Sequence, residues 1–173
     1  ASSLNYHDVF TRRGMPGIKL SLPVIPGLDI AGELAELSPE VKGWSLGDRV
    51  LIDPVNRVKG GLMGETVHGG LAEYCRVPAH QLVPIPDGVT FDQAASLPVA
   101  YGTAHRMMVN IGQVKSGEKV LVLGASGGVG TGCVLLAKMA GADMIVGVDI
   151  NDSKKGASVY KCTKEYFGKN FKS

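Results

Sequence analysis

The second half of the chain contains the segment that most constrains the fold. Residues 119–123 (KVLVL) form a short apolar run, and residues 124–130 are rich in glycine. Residues 131–142 are rich in helix-forming residues, and residues 144–150 form a second apolar run. A strand, a glycine turn, a helix and another strand make a βαβ unit, so we expect the two strands to be parallel.

The glycine turn of this unit suits the pyrophosphate of a dinucleotide. Gly124 lets the chain leave the strand sharply, Gly127 lets backbone N–H groups approach a phosphate, and Gly130 lets the helix pack close to the sheet. The helix N-terminus adds unpaired N–H donors and a partial positive charge. The alternative is that these glycines serve the geometry of the turn alone. The predicted cofactor-binding residues of the turn are Gly124, Ser126, Gly127, Gly128, Val129 and Gly130.

Asp149 predicts which dinucleotide is bound. It lies 19 residues beyond Gly130, near the distance at which a carboxylate hydrogen-bonds the adenosine ribose. A carboxylate there accepts from the 2′- and 3′-hydroxyls and repels a 2′-phosphate, which favours NAD(H). Lys154 and Lys155 are close enough in sequence to receive a phosphate, so NADP(H) stays open. We also assign Asn151 to the cofactor site. The alternative for Asp149 is an ordinary carboxylate at a strand end.

The first ninety residues differ from this unit, because short apolar or alternating runs are separated by Pro and Gly. This spacing, without a long helical pattern, indicates a small and mostly β barrel or sandwich. The predicted strands are 32–37, 48–52, 71–77 and 82–85. Thr90 and Gln93 fit the capping box of a helix, which Pro98 is expected to kink or divide.

Charge and cysteine usage exclude several classes of protein. Residues 1–150 carry 12 Lys and Arg against 14 Asp and Glu, whereas residues 151–173 carry six Lys against two acidic residues. Because the basic excess is confined to the last stretch, no nucleic-acid partner is expected. Three cysteines far apart argue against disulfides and for a reducing, cytoplasmic location. No apolar run approaches about 18 residues, so no membrane span is expected, and no signal peptide is visible.

A series of motifs in order along residues 4–151 resembles the medium-chain dehydrogenase/reductase superfamily, and most its zinc-independent quinone oxidoreductase branch. The resembling stretches are LNYHDV (4–9), RRG (12–14), PGLDIAG (26–32), GDRV (47–50), GGLAEY (69–74), AASLP (94–98), TA (103–104), the glycine turn and VDI (148–150).

The resemblance implies an α/β protein with two domains. A GroES-like, mostly-β catalytic domain would occupy residues 1–97, and a partial Rossmann domain with a doubly wound parallel sheet would occupy residues 98–173. Members of the superfamily are about twice this length. We therefore expect that the opening strands of the first domain and the second half of the Rossmann sheet are missing from this sequence. We also expect the lysine-rich end to reflect a truncated or discontinuous segment rather than a functional basic arm.

The resemblance also implies that this chain binds no zinc. Zinc alcohol dehydrogenases of the superfamily have a catalytic Cys where this chain has Asn5, a His-Glu pair at Leu28-Asp29, and a second Cys near Val99. A catalytic zinc needs three converging N, S or O ligands. The structural zinc lobe of those enzymes needs four cysteines, and residues 53–68 contain none. No metal ligand is therefore predicted.

Without zinc, hydride transfer to a conjugated enone, quinone or enoyl thioester is easier than to a simple ketone, because the developing charge is delocalised. In the family, the segment that holds Asn5, Tyr6 and Asp8 lines the cleft beneath the nicotinamide. Asn5 can donate to a carbonyl and Tyr6 can donate to the enolate, and the three are the predicted catalytic residues. The structural alternatives are that Tyr6 packs in the barrel and that Asp8 braces the turn at Arg12-Arg13. Thr103 is predicted to bind the nicotinamide ribose or amide.

The expected function is an NAD(P)H-dependent, zinc-independent oxidoreductase of activated C=C bonds or quinones, with a small-molecule substrate. The first alternative is a non-catalytic relative of the crystallin type, with a structural or RNA-binding role. The second is an alcohol dehydrogenase relative that has lost its zinc. The resemblance further implies a homodimer.

Overall fold

The computed structural model describes residues 1–18, 20 and 22–149. The chain forms two compact units, Ala1–Val99 and Ala100–Ser173, and the described part of the second unit ends at Asp149. No helix among these described residues is long and apolar enough to cross a membrane.

The first unit is built on a four-stranded antiparallel sheet in which each strand pairs with the next in sequence. The register sets Ser3 opposite Asp29, Ala31 opposite Leu51 and Ile52 opposite Leu82. The strands are β1 (Ser2–Ser3), β2 (Asp29–Glu33), β3 (Arg49–Ile52) and β4 (Leu82–Pro84).

Helix α1 (Tyr6–Arg13) ends at Gly14, which adopts the left-handed conformation at φ +74°. The sequence did not predict this helix. Its buried residues are Asp8 and Thr11, one turn apart, so the face turned to the interior is polar. Its apolar residues Tyr6, Val9 and Phe10 lie instead on the exposed side, so the apolar stripe that usually marks the buried face of a surface helix does not mark it here.

Helix α2 (Phe91–Ala95) begins as predicted, because Gln93 N–H donates to Thr90 Oγ1 at 3.2 Å and Thr90 N–H donates to Gln93 Oε1 at 2.9 Å. A short 3-10 turn, Ala79–Gln81, precedes β4. Together, the helices and strands surround two small cores. Val50, Ile52 and Met63 are buried in one, and Ala31, Ile85, Ala94 and Ala95 in the other.

Two of the predicted strands were placed incorrectly. The strand predicted at 32–37 lies at β2, earlier in the chain, and residues 71–77 form no strand. In the second case the backbone is used elsewhere, since Gly70 N–H donates to the Gly27 carbonyl at 3.0 Å and Leu71 N–H to the Pro26 carbonyl at 3.0 Å. This pairing with a neighbouring loop replaces the predicted ladder.

The second unit opens with α3 (Ala100–His105), which continues into a π-helical turn, Arg106–Ile111. Helix α2 ends before Pro98 and α3 begins after it, so the prediction of a division at this proline is confirmed. Ala104 and Met108 are buried in one core with residues of the βαβ unit that follows.

The predicted βαβ unit is present, with β5 (Lys119–Leu123), α4 (Gly128–Met139) and β6 (Met144–Val148). The two strands pair in parallel, from Lys119 opposite Met144 to Leu123 opposite Val148. The helix begins three residues earlier than predicted because Gly127 is its N-cap. The predicted end of the second strand at residue 150 lies outside the described residues. Val122, Cys133, Val134 and Ala137 form the core between helix and sheet.

Candidate functional site

Asn5 lies at the N-cap of α1, directly after β1. Its backbone N–H donates to Asp8 Oδ2 at 2.8 Å, and its side-chain Nδ2 donates to Asp29 Oδ2 at 2.8 Å. The first bond caps the helix with a carboxylate, which also complements the positive end of the helix dipole. The second ties the side chain to a residue 24 positions away.

Asp29 is the centre of this polar cluster, with only 1% of its surface exposed. Its Oδ2 accepts from Ser3 Oγ at 2.7 Å as well as from Asn5, and its Oδ1 accepts from the Val99 N–H at 2.9 Å. A buried carboxylate is tolerated where donors replace its hydration. The antiparallel pairing of β1 and β2 supplies one donor, the start of α1 another, and residue 99 the third. We call these residues the Asp29 cluster: Ser3, Asn5, Asp29 and the Val99 N–H.

Asp8 is buried as well and binds two backbone N–H groups. Its Oδ2 accepts from Asn5 and its Oδ1 accepts from Gly27 at 3.0 Å. These bonds join α1 to the loop before β2. The alternative in which Asp8 braces the turn at Arg12-Arg13 is therefore wrong, because its bonds go to Asn5 and Gly27. With both oxygens bound and 5% of its surface exposed, Asp8 is placed to hold backbone rather than to contact a substrate.

Tyr6 is not packed inside the barrel, because 81% of its surface is exposed. Its ring lies beside that of Phe10, with the centroids 6.2 Å apart and the planes tilted by 33°. The alternative that Tyr6 packs in the barrel is therefore wrong, and the role of its hydroxyl stays a prediction.

The loop that carries Asp29 is fixed by close glycine packing. Gly27 has φ +105°, which disfavours any side chain, and a Cβ there would lie 2.8 Å from the Leu71 backbone nitrogen. A Cβ on Gly69 would lie 2.2 Å from the Gly27 carbonyl oxygen. Side chains cannot enter this contact without moving backbone. The position of Asp29 is thus set by its neighbours as well as by its own hydrogen bonds.

His7 Nε2 lies 2.5 Å from Glu65 Oε2, which links the start of α1 to a distant loop. His68 has a different partner, because its Nδ1 accepts from the Ile25 N–H at 3.1 Å. Each histidine of this region thus has a partner of its own, and the two are not paired with each other among the described residues.

The glycine turn of the second unit has the geometry expected of a phosphate cradle. Gly124 is left-handed at φ +73°, and a Cβ on Gly130 would lie 2.0 Å from the Gly124 carbonyl oxygen. Thr131 N–H donates to the Gly127 carbonyl at 2.8 Å in the first bond of the helix type. The N–H groups of residues 128–130 therefore precede the helical ladder, as required for binding an anion. These residues fit a dinucleotide pyrophosphate.

Asp149 meets the glycine turn through Ser126. Its Oδ2 accepts from the Ser126 N–H at 2.7 Å and also from the Ser126 hydroxyl. The structure thus brings together two predicted cofactor residues that are 23 positions apart. Thr103 lies on α3 and is exposed, and Asn151 lies outside the described residues.

Both described cysteines, Cys75 and Cys133, are poor candidates for a reactive thiol. Burial raises the pKa of each, which disfavours the thiolate form. Cys133 packs in the core of the second unit. Neither belongs to the candidate site.

Comparison with known families agrees with this architecture. The model of the alcohol dehydrogenase GroES-like domain matches residues 1–87, half of the chain. The chain belongs to the medium-chain dehydrogenase/reductase superfamily. The resemblance to the quinone oxidoreductase-like branch is confirmed, and so is the fold: a GroES-like domain followed by the start of a Rossmann-type parallel sheet.

The relatives of this chain include both alcohol dehydrogenase-like proteins and quinone oxidoreductases. A zinc-type alcohol dehydrogenase-like protein of Schizosaccharomyces pombe is 36% identical over 157 residues, covering 84% of this chain and 45% of the relative. The human quinone oxidoreductase is 32% identical over 145 residues, covering 84% of this chain and 41% of the relative. The structure of a thermostable alcohol dehydrogenase from Pyrobaculum aerophilum aligns with a TM-score of 0.82 at 30% identity, covering 98% of this chain and 54% of that one. The chain thus spans less than half the length of these two curated relatives.

The positions matched to the catalytic zinc ligands of this superfamily hold Asn5, Leu28 and Val99. Leu28 is apolar and buried, and a valine side chain has no ligating atom. Asn5 Nδ2 and the Val99 N–H both donate to the carboxylate of Asp29, the residue after Leu28. Among residues 1–18, 20 and 22–149, no group of three or more His, Cys, Asp or Glu side chains could hold a metal ion. An amide nitrogen that donates and a carboxylate already bound to three donors do not fit a zinc ion.

Asp29 is the residue of this site that sequence reasoning missed. Its sequence context contained one indication, since this acidic residue stands directly between the apolar residues Leu28 and Ile30. A buried position for a carboxylate predicts nearby donors. The donors themselves were not predictable, because they lie 24 to 70 residues away.

Proposed function

We propose that the complete protein is an oxidoreductase that transfers a hydride from a nicotinamide dinucleotide to an activated C=C bond or a quinone, without zinc. The observation that carries this proposal is the Asp29 cluster. It has the Asn5 amide at one position matched to a zinc ligand, and beside the other two, Leu28 and Val99, it has a carboxylate already bound to three donors. The names of the quinone oxidoreductase relatives support the same substrate class.

The chemistry follows from the groups that this chain offers. Bound NADH or NADPH supplies a hydride. Asn5 donates a hydrogen bond to the substrate carbonyl, and this bond strengthens as negative charge develops on the oxygen. The exposed Tyr6 hydroxyl supplies the proton that completes the reduction. Asp8 keeps the backbone of Asn5 in place. Conjugation spreads the charge of the substrate, so these neutral donors suffice where a simple ketone would need a Lewis acid.

The second unit provides the features expected of the cofactor site. The N–H groups of residues 128–130 would bind the pyrophosphate, and Asp149 would accept from the ribose hydroxyls. Asn151 is assigned to the same site from the sequence alone. Thr103 would bind the nicotinamide ribose or amide. A carboxylate near the ribose favours NAD(H) over NADP(H). The whole protein is expected to act as a homodimer on a small-molecule substrate.

The experiment is a comparison of substrates with the purified full-length protein. Oxidation of NADH and NADPH is followed with quinones and enones, and reduction of NAD⁺ is followed with simple alcohols. We expect turnover of quinones or enones, faster with NADH, and none of simple alcohols. Turnover of alcohols alone would contradict the proposal and favour the alcohol dehydrogenase alternative, to which the zinc-type relative from Schizosaccharomyces pombe gives weight. Dinucleotide binding without any turnover would favour the non-catalytic alternative.

A further inference from the structure

The nitrogen and oxygen of an amide group have nearly the same shape, so hydrogen-bond partners decide which of the two atoms of Asn5 faces Asp29. The Asn5 side-chain atom nearest Asp29 lies 2.8 Å from Oδ2. An ionised carboxylate accepts hydrogen bonds and donates none, so this atom is the nitrogen of the amide. Asp29 therefore selects one of the two flips of the side chain. The amide nitrogen carries two hydrogens, and Asp29 accepts one of them.

The second hydrogen of Asn5 Nδ2 has no partner among the described residues, whereas the carboxylate itself is surrounded. Ser3 Oγ and the Val99 N–H approach Asp29 from two other segments, at 2.7 and 2.9 Å. Three donors from separate segments prevent the carboxylate from turning. The loop that carries it is held by the close contact of Gly27 with Gly69. Asp29 is thus a fixed acceptor beside a side chain that is half-exposed.

We infer that Asp29 is the positioning residue of Asn5 and presents the second N–H of its amide to the substrate carbonyl. This inference rests on the proposed function, because it assigns to Asn5 the contact with the reacting carbonyl. Asp29 itself does not touch the substrate. In the absence of its carboxylate, the amide rotates or flips, and its oxygen can replace the nitrogen. A carbonyl oxygen facing the substrate carbonyl repels it instead of stabilising its charge.

The kinetic test is a double-mutant cycle on the full-length protein with the quinone or enone that it turns over fastest. Asn5→Ala and Asp29→Asn are each expected to lower kcat/KM about tenfold or more, because one donor at a developing oxyanion is lost. The double variant is expected to be no slower than Asn5→Ala alone, because Asp29 acts only through that amide. Effects that multiply would overturn the inference.

Asp8→Asn is the matched control for the cycle. Asp8 is also buried, but it binds the backbone N–H groups of Asn5 and Gly27 rather than a side-chain amide. Asp8→Asn is expected to lower kcat/KM further in the Asn5→Ala background, because Asp8 also holds Gly27 and the start of the helix that carries Tyr6. If Asp8→Asn and Asp29→Asn behave alike in the Asn5→Ala background, the role of Asp29 is one of general stability and the inference is wrong.

A second readout separates this inference from the proposed function. In the nuclear magnetic resonance spectrum of labelled protein, the Asn5 Nδ2 proton bound to Asp29 is expected to be shifted downfield and to exchange with water more slowly than the other Nδ2 proton. Asp29→Asn should move that proton upfield and remove its protection from exchange. Unchanged amide signals would overturn the positioning role whether or not the protein turns over. Absence of turnover with the signals as expected would instead overturn the proposed function.

Discussion

Two aspartates lie at the two candidate sites, and they differ in burial. Asp29 is 1% exposed and accepts from Ser3, Asn5 and the Val99 N–H. Asp149 is half-exposed and accepts from the N–H and hydroxyl of Ser126 in the neighbouring glycine turn. A buried carboxylate with fixed donors is rigid, whereas one in contact with water can exchange its partners. The first arrangement suits the orientation of a side chain, and the second suits ligand binding.

The largest expected effect is that of Asp29→Ala on stability. The change leaves the donors of Ser3, Asn5 and Val99 without an acceptor in a buried position. We expect the free energy of unfolding to fall by about 3 to 5 kcal/mol. Urea denaturation measures it, with Asp149→Ala as the matched control, for which a loss below about 1 kcal/mol is expected. Equal losses would remove the distinction between the two aspartates.

The rigidity of the second site should come from its glycines rather than from its aspartate. In Gly130→Ala the new Cβ would lie 2.0 Å from the Gly124 carbonyl oxygen, so helix and turn must separate. We expect a loss of about 2 to 4 kcal/mol in the free energy of unfolding.

Gly127→Ala is the control for Gly130→Ala, since its Cβ would lie 3.5 Å from the Gly124 carbonyl oxygen, an ordinary contact, and its φ of −74° is ordinary. Its effect should be below about 1 kcal/mol. The thermal midpoints of the two variants provide the comparison. A Gly130→Ala protein as stable as Gly127→Ala would show that the close contact has no structural role.

Asp149→Ser tests whether the carboxylate of Asp149 binds the cofactor, through the affinities for NADH and NADPH. Loss of the carboxylate removes an acceptor for the ribose hydroxyls and the repulsion of a 2′-phosphate. We expect NADH to bind about tenfold more weakly and NADPH to gain relative to it, since one charged hydrogen bond contributes roughly 1.5 kcal/mol or more. Fluorescence titration measures both affinities. Asp143→Ser, an exposed aspartate before β6, is the control. Unchanged affinities in Asp149→Ser would show that the carboxylate is not at the ribose.

Ser126→Ala is expected to have the smallest effect. It removes the hydroxyl donor to Asp149 but keeps the backbone N–H, which lies 2.7 Å from the same oxygen. The free energy of unfolding should change by less than about 1 kcal/mol, because the pair is exposed. A larger loss, measured by urea denaturation, would mean that this pair is as rigid as the Asp29 cluster.

The sequence predicted local features more completely than distant ones. The βαβ unit and the capping box of Thr90 and Gln93 were predictable, because each depends on residues within a few turns of one another. Helix α1 was not, since the residues it buries are Asp8 and Thr11. Asn5 was identified from its place in a motif. Its partner was missed, because the Asp29 cluster joins residues that only the folded chain brings together.

The most direct test of the account is the metal content of the active full-length protein, measured with its rate of quinone or enone reduction before and after chelation. The account predicts no stoichiometric zinc and an unchanged rate after chelation, because the matched positions hold Asn5, Leu28 and Val99, and the neighbouring Asp29 carboxylate is already bound to three donors. Stoichiometric zinc, with activity lost on chelation and restored by zinc, would contradict the account.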